Sequence, residues 1–286
     1  MTIHIITDGS SDLTPEIIQQ FGIHVVPLYV RFGQEVLTSD MDTTAFYDRM
    51  REEEELPKTS SPSPADFYHM YRSLGTENDI LVLALTSSLS STYNHAVMAK
   101  AMYEEEGHPN RVEVIDTKTT SLGLGLLVVR AAQLAKEGAG LHDLMNKMMN
   151  YVNHTRTYFT LDTLENVIRG GRLSRLKGTV ASMLNIKLLM EANEEGSIEV
   201  MEKIRGTQKT LRRLIEKVGD AWHQVDKDWI ALAHSNCEER AKAFLKELLD
   251  KYHFDQVLFV NMGPIIGTYA GEGGVLVTFQ QAPQPS

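Results

Sequence analysis

Six of the seven side chains from Thr86 to Thr92 are hydroxyls, with only Leu89 interrupting the run. The run lies between residues 80–85, an apolar stretch of strand length, and residues 95–102, which are rich in helix formers. A short, wholly apolar stretch is the pattern of a parallel strand buried on both faces. The hydroxyls are therefore expected in a strand-to-helix turn. At the start of a helix the backbone N–H groups lack partners and carry the positive end of the dipole. Hydroxyls beside them add donors, so the place suits a carboxylate or a phosphate. One Ser or Thr is enough for a helix cap. Ser90, Ser91 and Thr92 exceed that need.

Two other turns have the same character. A strand over residues 3–6 runs into Thr7, Asp8, Gly9, Ser10, Ser11 and Asp12. A strand over residues 112–115 runs into Asp116, Thr117, Lys118, Thr119, Thr120 and Ser121. In an open parallel sheet, ligands bind outside the carboxyl ends of the strands. Other chemistries compete for these residues. Asp8, Asp12 and Asp116 could hold a metal, although Asp at a turn is mostly a local cap. Ser90 could be a nucleophile, but Gly-x-Ser-x-Gly is absent and no histidine stands out as its base. There is no phosphate-binding loop ending in Gly-Lys-Ser/Thr, no dinucleotide fingerprint, no His-Glu-x-x-His and no calcium loop. The ten histidines do not cluster at ligand spacings. His234, at a strand end, is the most suggestive, with capping the commoner role. Arg169, Arg172, Arg175 and Lys177 form a basic patch beside Gly170 and Gly171. It reads either as a solvated helix face or as recognition of an anionic head group or a partner. The thirteen methionines, dense at 145–149 and 183–190, read as core filling before pocket lining.

The elements that must position these residues follow from periodicity and punctuation. Thr14 and Pro15 open a helix to residue 21, and residues 23–30 read as a second strand. Residues 43–55 are helical and acidic, and three prolines keep 56–64 out of helix. A helix over 65–74 leads into the strand at 80. The helix over 122–136 carries Gly123 and Gly125 in its first turn, which implies that something approaches its backbone closely. After an amphipathic helix over 141–152, strands are expected at 158–161, 187–192, 197–201, 229–233, 256–260 and 274–279, with a β-hairpin turn at 193–196. A short helix at 164–168, the basic stretch 172–177 and then a helix through residue 184 precede that hairpin, and longer helices cover 207–218 and 237–252. Residues 263–273 read as a Gly-rich, hydroxyl-bearing turn. The boundaries are 1–153 for an N-terminal parallel α/β domain, 154–281 for a C-terminal α/β domain and 282–286 for a tail, with disorder expected from Gln280.

Composition narrows the function. At 286 residues two domains are expected, and 42% hydrophobic with 23% charged residues is ordinary for a globular protein. No apolar run approaches a membrane span, so no membrane insertion is expected, and the first residues are no signal peptide. The single cysteine, Cys237, excludes an internal disulfide and a thiolate zinc cluster, which fits a cytoplasmic location. A formal net charge of -10 argues against a nucleic-acid partner.

Seven elements in order resemble the DegV family of bacterial fatty-acid-binding proteins. Residues 7–13 look like its opening TDSSSDL, 59–64 like TSQPSP, and 87–96 like SSxLSGTYNxA. Residues 116–125 are similar to its Asp-Ser/Thr, Ser-x-Gly-x-Gly element. Residues 170–173 resemble GGRI, 185–187 NIKP, and 263–273 GPxIGTHxGPG. The resemblance implies a two-domain α/β protein, with an N-terminal parallel-sheet domain and a C-terminal mixed-sheet domain. It implies one long-chain fatty acid in a tunnel between the domains, no other cofactor, no metal and no catalysis by the chain itself. Some members serve as the acyl-carrying subunit of fatty acid kinase, and the implied partner is a kinase subunit resembling dihydroxyacetone kinase. The carboxylate-binding residues map onto Thr59, Ser60, Ser90, Ser91, Thr92, Arg172 and Tyr269. The head-group neighbourhood maps onto Asp8, Ser10, Ser11, Asp116, Thr117, Ser121, Gly267 and Thr268. Tyr269 replaces the family's histidine and Ser91 its motif glycine. A phenol donates a hydrogen bond but is no base near neutral pH. The alternatives are a small-molecule hydrolase or phosphatase using Ser90 or the aspartates, and a lipid-responsive regulator docking a partner through the basic patch.

Overall fold

The computed structural model describes residues 3–173 and 185–282. The N-terminal part is built on a parallel sheet, order β2-β1-β6-β7, of β1 (His4–Asp8), β2 (Ile23–Val26), β6 (Ile80–Ala84) and β7 (Val112–Asp116). Every residue of β6 is buried, as its unbroken apolar run requires. Thr14 caps α1 (Pro15–Phe21), whose proline occupies the first turn where no N–H is needed. One face of the sheet packs on α3 (Pro64–Ser73) and α4 (Thr92–Glu105) through Phe67, Tyr71 and Tyr103. The other face packs on α5 (Leu122–Lys136).

The helix α5 is apolar nearly all round, the signature of a helix buried on several sides. It touches β1 and β6 on one side and three strands of the C-terminal sheet on the other. That second sheet is mixed, order β10-β9-β8-β13-β11-β12. It comprises β8 (Thr155–Thr160), β9 (Ile186–Ala192), β10 (Ile198–Arg205), β11 (Val225–His234), β12 (Gln256–Asn261) and β13 (Val275–Gln281). All its pairs are antiparallel except β11 with β12. The outer face is covered by α8 (Thr207–Asp220) and α9 (Glu238–Lys251), which bury Leu214, Ile215, Phe244 and Leu248 against it.

Several expectations need correction. Residues 23–30 are two strands. Pro27 lacks an N–H and cannot continue the ladder, and beyond it β3 (Tyr29–Phe32) joins a separate sheet, order β4-β3-β5. Its other members are β4 (Glu35–Thr38) and β5 (Lys58–Ser60), the latter lying where only a loop was expected. The helix α2 (Thr43–Glu52) packs Phe46 and Tyr47 on this sheet. The 263–273 turn contains a helix, α10 (Pro264–Ala270), opened by Pro264 and ended by Gly271 at φ +61. Strand β8 starts at Thr155, directly after α6 (Leu141–His154). Gln280 and Gln281 extend β13, so the chain is ordered past the expected start of its tail. A helix α7 (Glu165–Arg169) lies close to the expected 164–168. The expected helix through residue 184, with Arg175 and Lys177, lies outside the described residues. Among the described residues no helix is long and apolar enough to cross a membrane.

Candidate functional site

The carboxyl ends of β1, β6 and β7 face the inner side of the mixed sheet across a cavity of about 490 Å³. That is within the roughly 300–1,000 Å³ of small-molecule sites. Its body is mainly apolar, walled by Leu28, Leu85, Phe159, Leu161, Met262 and Ile265. Toward one end Thr59, Ser60, Ser61, Ser90, Ser91, Arg172 and Tyr269 converge. These come from β5, the turn before α4, the turn after α7, and α10.

The polar end is closely connected. Thr59 Oγ1 lies 2.5 Å from Tyr269 Oη. Ser61 Oγ lies 2.7 Å from Ser91 Oγ, and Ser90 Oγ lies 2.9 Å from Thr92 Oγ1. Arg172 Nη1 donates to the Gly170 carbonyl at 2.6 Å, and its guanidinium sits 4.8 Å from the Tyr269 ring centre. Gly170 makes this possible, because a Cβ there would collide with the Tyr269 ring. Among the described lining residues Arg172 is the one Lys or Arg, and there is no Asp or Glu. In a chain of net charge -10, a cavity whose described lining holds a guanidinium and no carboxylate favours an anionic head group. His95 also lines the cavity and was not singled out from sequence. Its Nδ1 donates to the Pro62 carbonyl at 2.7 Å.

The mapped residues divide into two groups. Thr59, Ser60, Ser90, Ser91, Arg172, Tyr269 and Ser121 line the cavity. Thr92 is fully buried behind Ser90, which it positions. The other head-group residues do not line it; they hold the turns together. Asp8 accepts from Ser10 N–H, Ser10 Oγ and Leu85 N–H, which ties the β1 turn to the β6 turn. Burial raises its pKa against those hydrogen bonds. Ser11 is buried, and its carbonyl abuts Gly125. Asp116 accepts from Ser87 and Lys118, and Thr117 Oγ1 donates to the Ala84 carbonyl at 2.8 Å. Thr268 Oγ1 donates back to the Pro264 carbonyl within α10. Gly267 serves packing: a Cβ would press on Phe46 and Tyr47 of α2.

Asp12 does more than cap its own turn. Its Oδ1 accepts from Gly263 N–H at 2.8 Å, and its Oδ2 accepts from Ser121 Oγ at 2.5 Å. The carboxyl thus joins the β1 turn, the start of α5 and the turn that opens α10. Burial raises its pKa to about 7, against both hydrogen bonds, and the nearby Asp8 adds to the rise. With Asp8, Asp12 and Asp116 all accepting from protein donors, their role here is structural. Among the described residues no three His, Cys, Asp or Glu side chains could hold a metal ion.

The remaining candidates resolve similarly. His234 Nδ1 accepts from Cys237 N–H at 3.3 Å in the turn before α9, and burial lowers its pKa. Arg169 pairs on the surface with Glu165 at 2.6 Å, so of the described patch residues only Arg172 turns inward. Met148 and Met190 fill the core, while Met262 lines the cavity.

The turn of the β9–β10 hairpin closes one side of the cavity. Ser88 Oγ donates to the Glu195 carbonyl at 2.5 Å. Gly196, at φ +76, presses so close that a Cβ would collide with Thr86 Oγ1 and Lys118 Cα. Gly196→Ala should therefore destabilise the fold by about 2–4 kcal/mol, combining left-handed backbone strain with overpacking. A denaturant titration checks this; an unchanged midpoint would mean that the hairpin turn is free to move away.

The family model described as "Uncharacterised protein, DegV family" matches residues 2–281. A DegV domain-containing protein of Caldanaerobacter subterraneus is 31% identical over 282 residues, covering 98% of this chain and 99% of that protein. The crystal structure of a DegV family protein from Ruminococcus gnavus with vaccenic acid is 30% identical, with a TM-score of 0.88, over 97% of this chain and 99% of that one. The Streptococcus pneumoniae fatty acid kinase (Fak) B3 protein, loaded with linoleic acid, is 25% identical, with a TM-score of 0.86, over 98% and 99%. The length of the match, the α/β architecture with its parallel and mixed sheets, and the order of the shared motifs all agree: the chain belongs to the DegV family.

Proposed function

We propose that this protein binds one long-chain fatty acid in the cavity and presents its carboxylate to a separate kinase subunit for acyl-phosphate formation. The observation that carries the reading is the cavity's polarity: an apolar body, hydroxyls and one guanidinium converging toward one end, and no acidic side chain among the described lining residues. Burying an acyl chain contributes about 0.8 kcal/mol per methylene, so the chain supplies most of the affinity. Hydrogen bonds from Thr59, Ser60, Ser90, Ser91, Arg172 and Tyr269 fix the carboxylate's position, each worth about 1.5–3 kcal/mol when charge-assisted.

The tunnel runs between a domain of residues 1–153 and one of residues 154–281. The chain itself is not the catalyst. Ser90 Oγ has Thr92 as its hydroxyl partner rather than a histidine, which disfavours the hydrolase alternative. The phosphoryl-transfer groups belong to the kinase, a role supported by the likeness to the Fak B3 protein. A cytoplasmic location fits the single cysteine.

Mass spectrometry under native and then denaturing conditions tests this. The expected result is a stoichiometric added mass, matching a fatty acid, that leaves on denaturation. A protein that stays at its own mass after incubation with several fatty acids would overturn the reading.

A further inference from the structure

The cavity has a second polar place, apart from the hydroxyls and guanidinium beside Tyr269. Along β8 and just past its end, Thr157, Phe159 and Leu161 face the cavity in alternation. The link after Leu161 packs on α10, where Thr163 and Asn166 flank Gly271, so Leu161 marks the Tyr269 end. Thr157 lies four residues back along the strand, about 13 Å away. Its Oγ1 accepts from Thr278 Oγ1 at 3.0 Å and lies 3.1 Å from Thr119 Oγ1. Thr119 and Thr157 are each 4% exposed and Thr278 is fully buried.

Three hydroxyls carry three protons, and two hydrogen bonds use two of them. Whichever of Thr119 and Thr157 donates to the other, one O–H is left without an acceptor among the described residues. Such buried donors are rare, because leaving one unpaired is costly. The helix also makes room for the pair. A Cβ at Gly123 would collide with both Thr119 Oγ1 and Thr157 Oγ1. Glycine in a helix costs about 1 kcal/mol relative to alanine, and here it is kept where the two hydroxyls stand.

We propose that the Thr119–Thr157 pair recognises a second oxygen on the ligand, so that the preferred acid carries a hydroxyl or keto group far along its acyl chain. This rests on the fatty-acid reading of the cavity and specifies its ligand class. A ligand oxygen accepts the unused proton, whereas a plain hydrocarbon chain leaves it unmet. The same two threonines border a polar cleft of about 690 Å³ on their other side, beside Lys118, Arg156 and Glu191. Water from that cleft is the competitor that a ligand oxygen replaces.

The test offers delipidated full-length protein an equimolar mixture of octadecanoic acid and its monohydroxy positional isomers, and reads the retained species by native mass spectrometry. One isomer hydroxylated beyond mid-chain should be retained about tenfold over octadecanoic acid, the ratio one net hydrogen bond supports. Thr119→Val should abolish that preference while still retaining octadecanoic acid, and Thr119→Ser should preserve it. Wild-type protein that favours octadecanoic acid over every isomer overturns the proposal, as does a preference that survives Thr119→Val. In both of those results an acid is still bound, so the fatty-acid reading stands. Retention of no acid at all removes both.

Discussion

Arg172→Gln should lower fatty-acid retention by about 30- to 100-fold while leaving the fold intact. The guanidinium is the one permanently charged group among the described lining residues. A carboxylate seated in that cavity without it keeps only neutral donors, and a charge-assisted hydrogen bond is worth about 1.5–3 kcal/mol. The substitution should not unfold the chain. Arg172 is only half-buried, and its protein contacts are the Gly170 and Leu89 carbonyls and the Tyr269 ring face. A glutamine amide can still donate to one of those carbonyls. Competition with a fluorescent fatty acid, alongside thermal unfolding, separates the two effects. Unchanged affinity would remove Arg172 from the carboxylate site and shift the weight to Thr59, Ser90 and Tyr269.

The second large effect concerns pH. Asp12 titrates at about 7 in the folded protein because burial disfavours its charge, whereas an unfolded aspartate titrates near ~3.9. Below about pH 4 both states are protonated and the contribution to stability is complete. Between about pH 4 and pH 7 the unfolded chain releases a proton that the folded chain retains, so stability falls as pH rises. Above about pH 7 both states are ionised and the loss levels off, at up to about 4 kcal/mol. Asp8 is shifted in the same direction by burial, so wild-type protein alone does not isolate Asp12. Asp12→Asn does. Asn tolerates the φ of 54° that Asp12 adopts. Its amide oxygen can accept from Gly263 N–H, and its amide nitrogen can donate to Ser121 Oγ. The variant should gain on wild type steadily from pH 4 to pH 7, by a few kcal/mol at the top, when stability is read by denaturant titration at each pH. A constant difference across that range would show that Asp12 does not titrate there.

Much of the site was legible because its chemistry is concentrated at strand ends. Apolar runs of strand length followed by Ser, Thr and Asp announced β1, β6 and β7 and the edge where a ligand would sit. Thr14 and Pro15 act within a turn of their own positions, so their punctuation could be read locally. The third sheet was not legible. β5 is three residues long and flanked by Pro57 and Pro62, and only its pairing with the remote β3 makes it a strand. A helix inside 263–273 was hidden by its own glycines, since Gly267 serves a close contact with α2 and Gly271, at φ +61, only ends the helix.

The sequence by itself determined what kinds of groups would gather at the sheet edge: hydroxyls, aspartates, a basic patch, and apolar residues on either side. Only the tertiary structure decided which of them face the cavity. Asp8 ends β1, Thr117 follows β7 and Ser90 lies in the turn after β6, yet the first two hold turns together and the third lines the cavity. The reason is geometric. Whether a side chain points inward depends on strand register and on packing partners, and those partners lie far away in the chain. Asp12 meets Gly263 across the fold, and Thr157 meets Thr278 through the register of β8 on β13, while Thr119 reaches them from the turn after β7, at the other sheet.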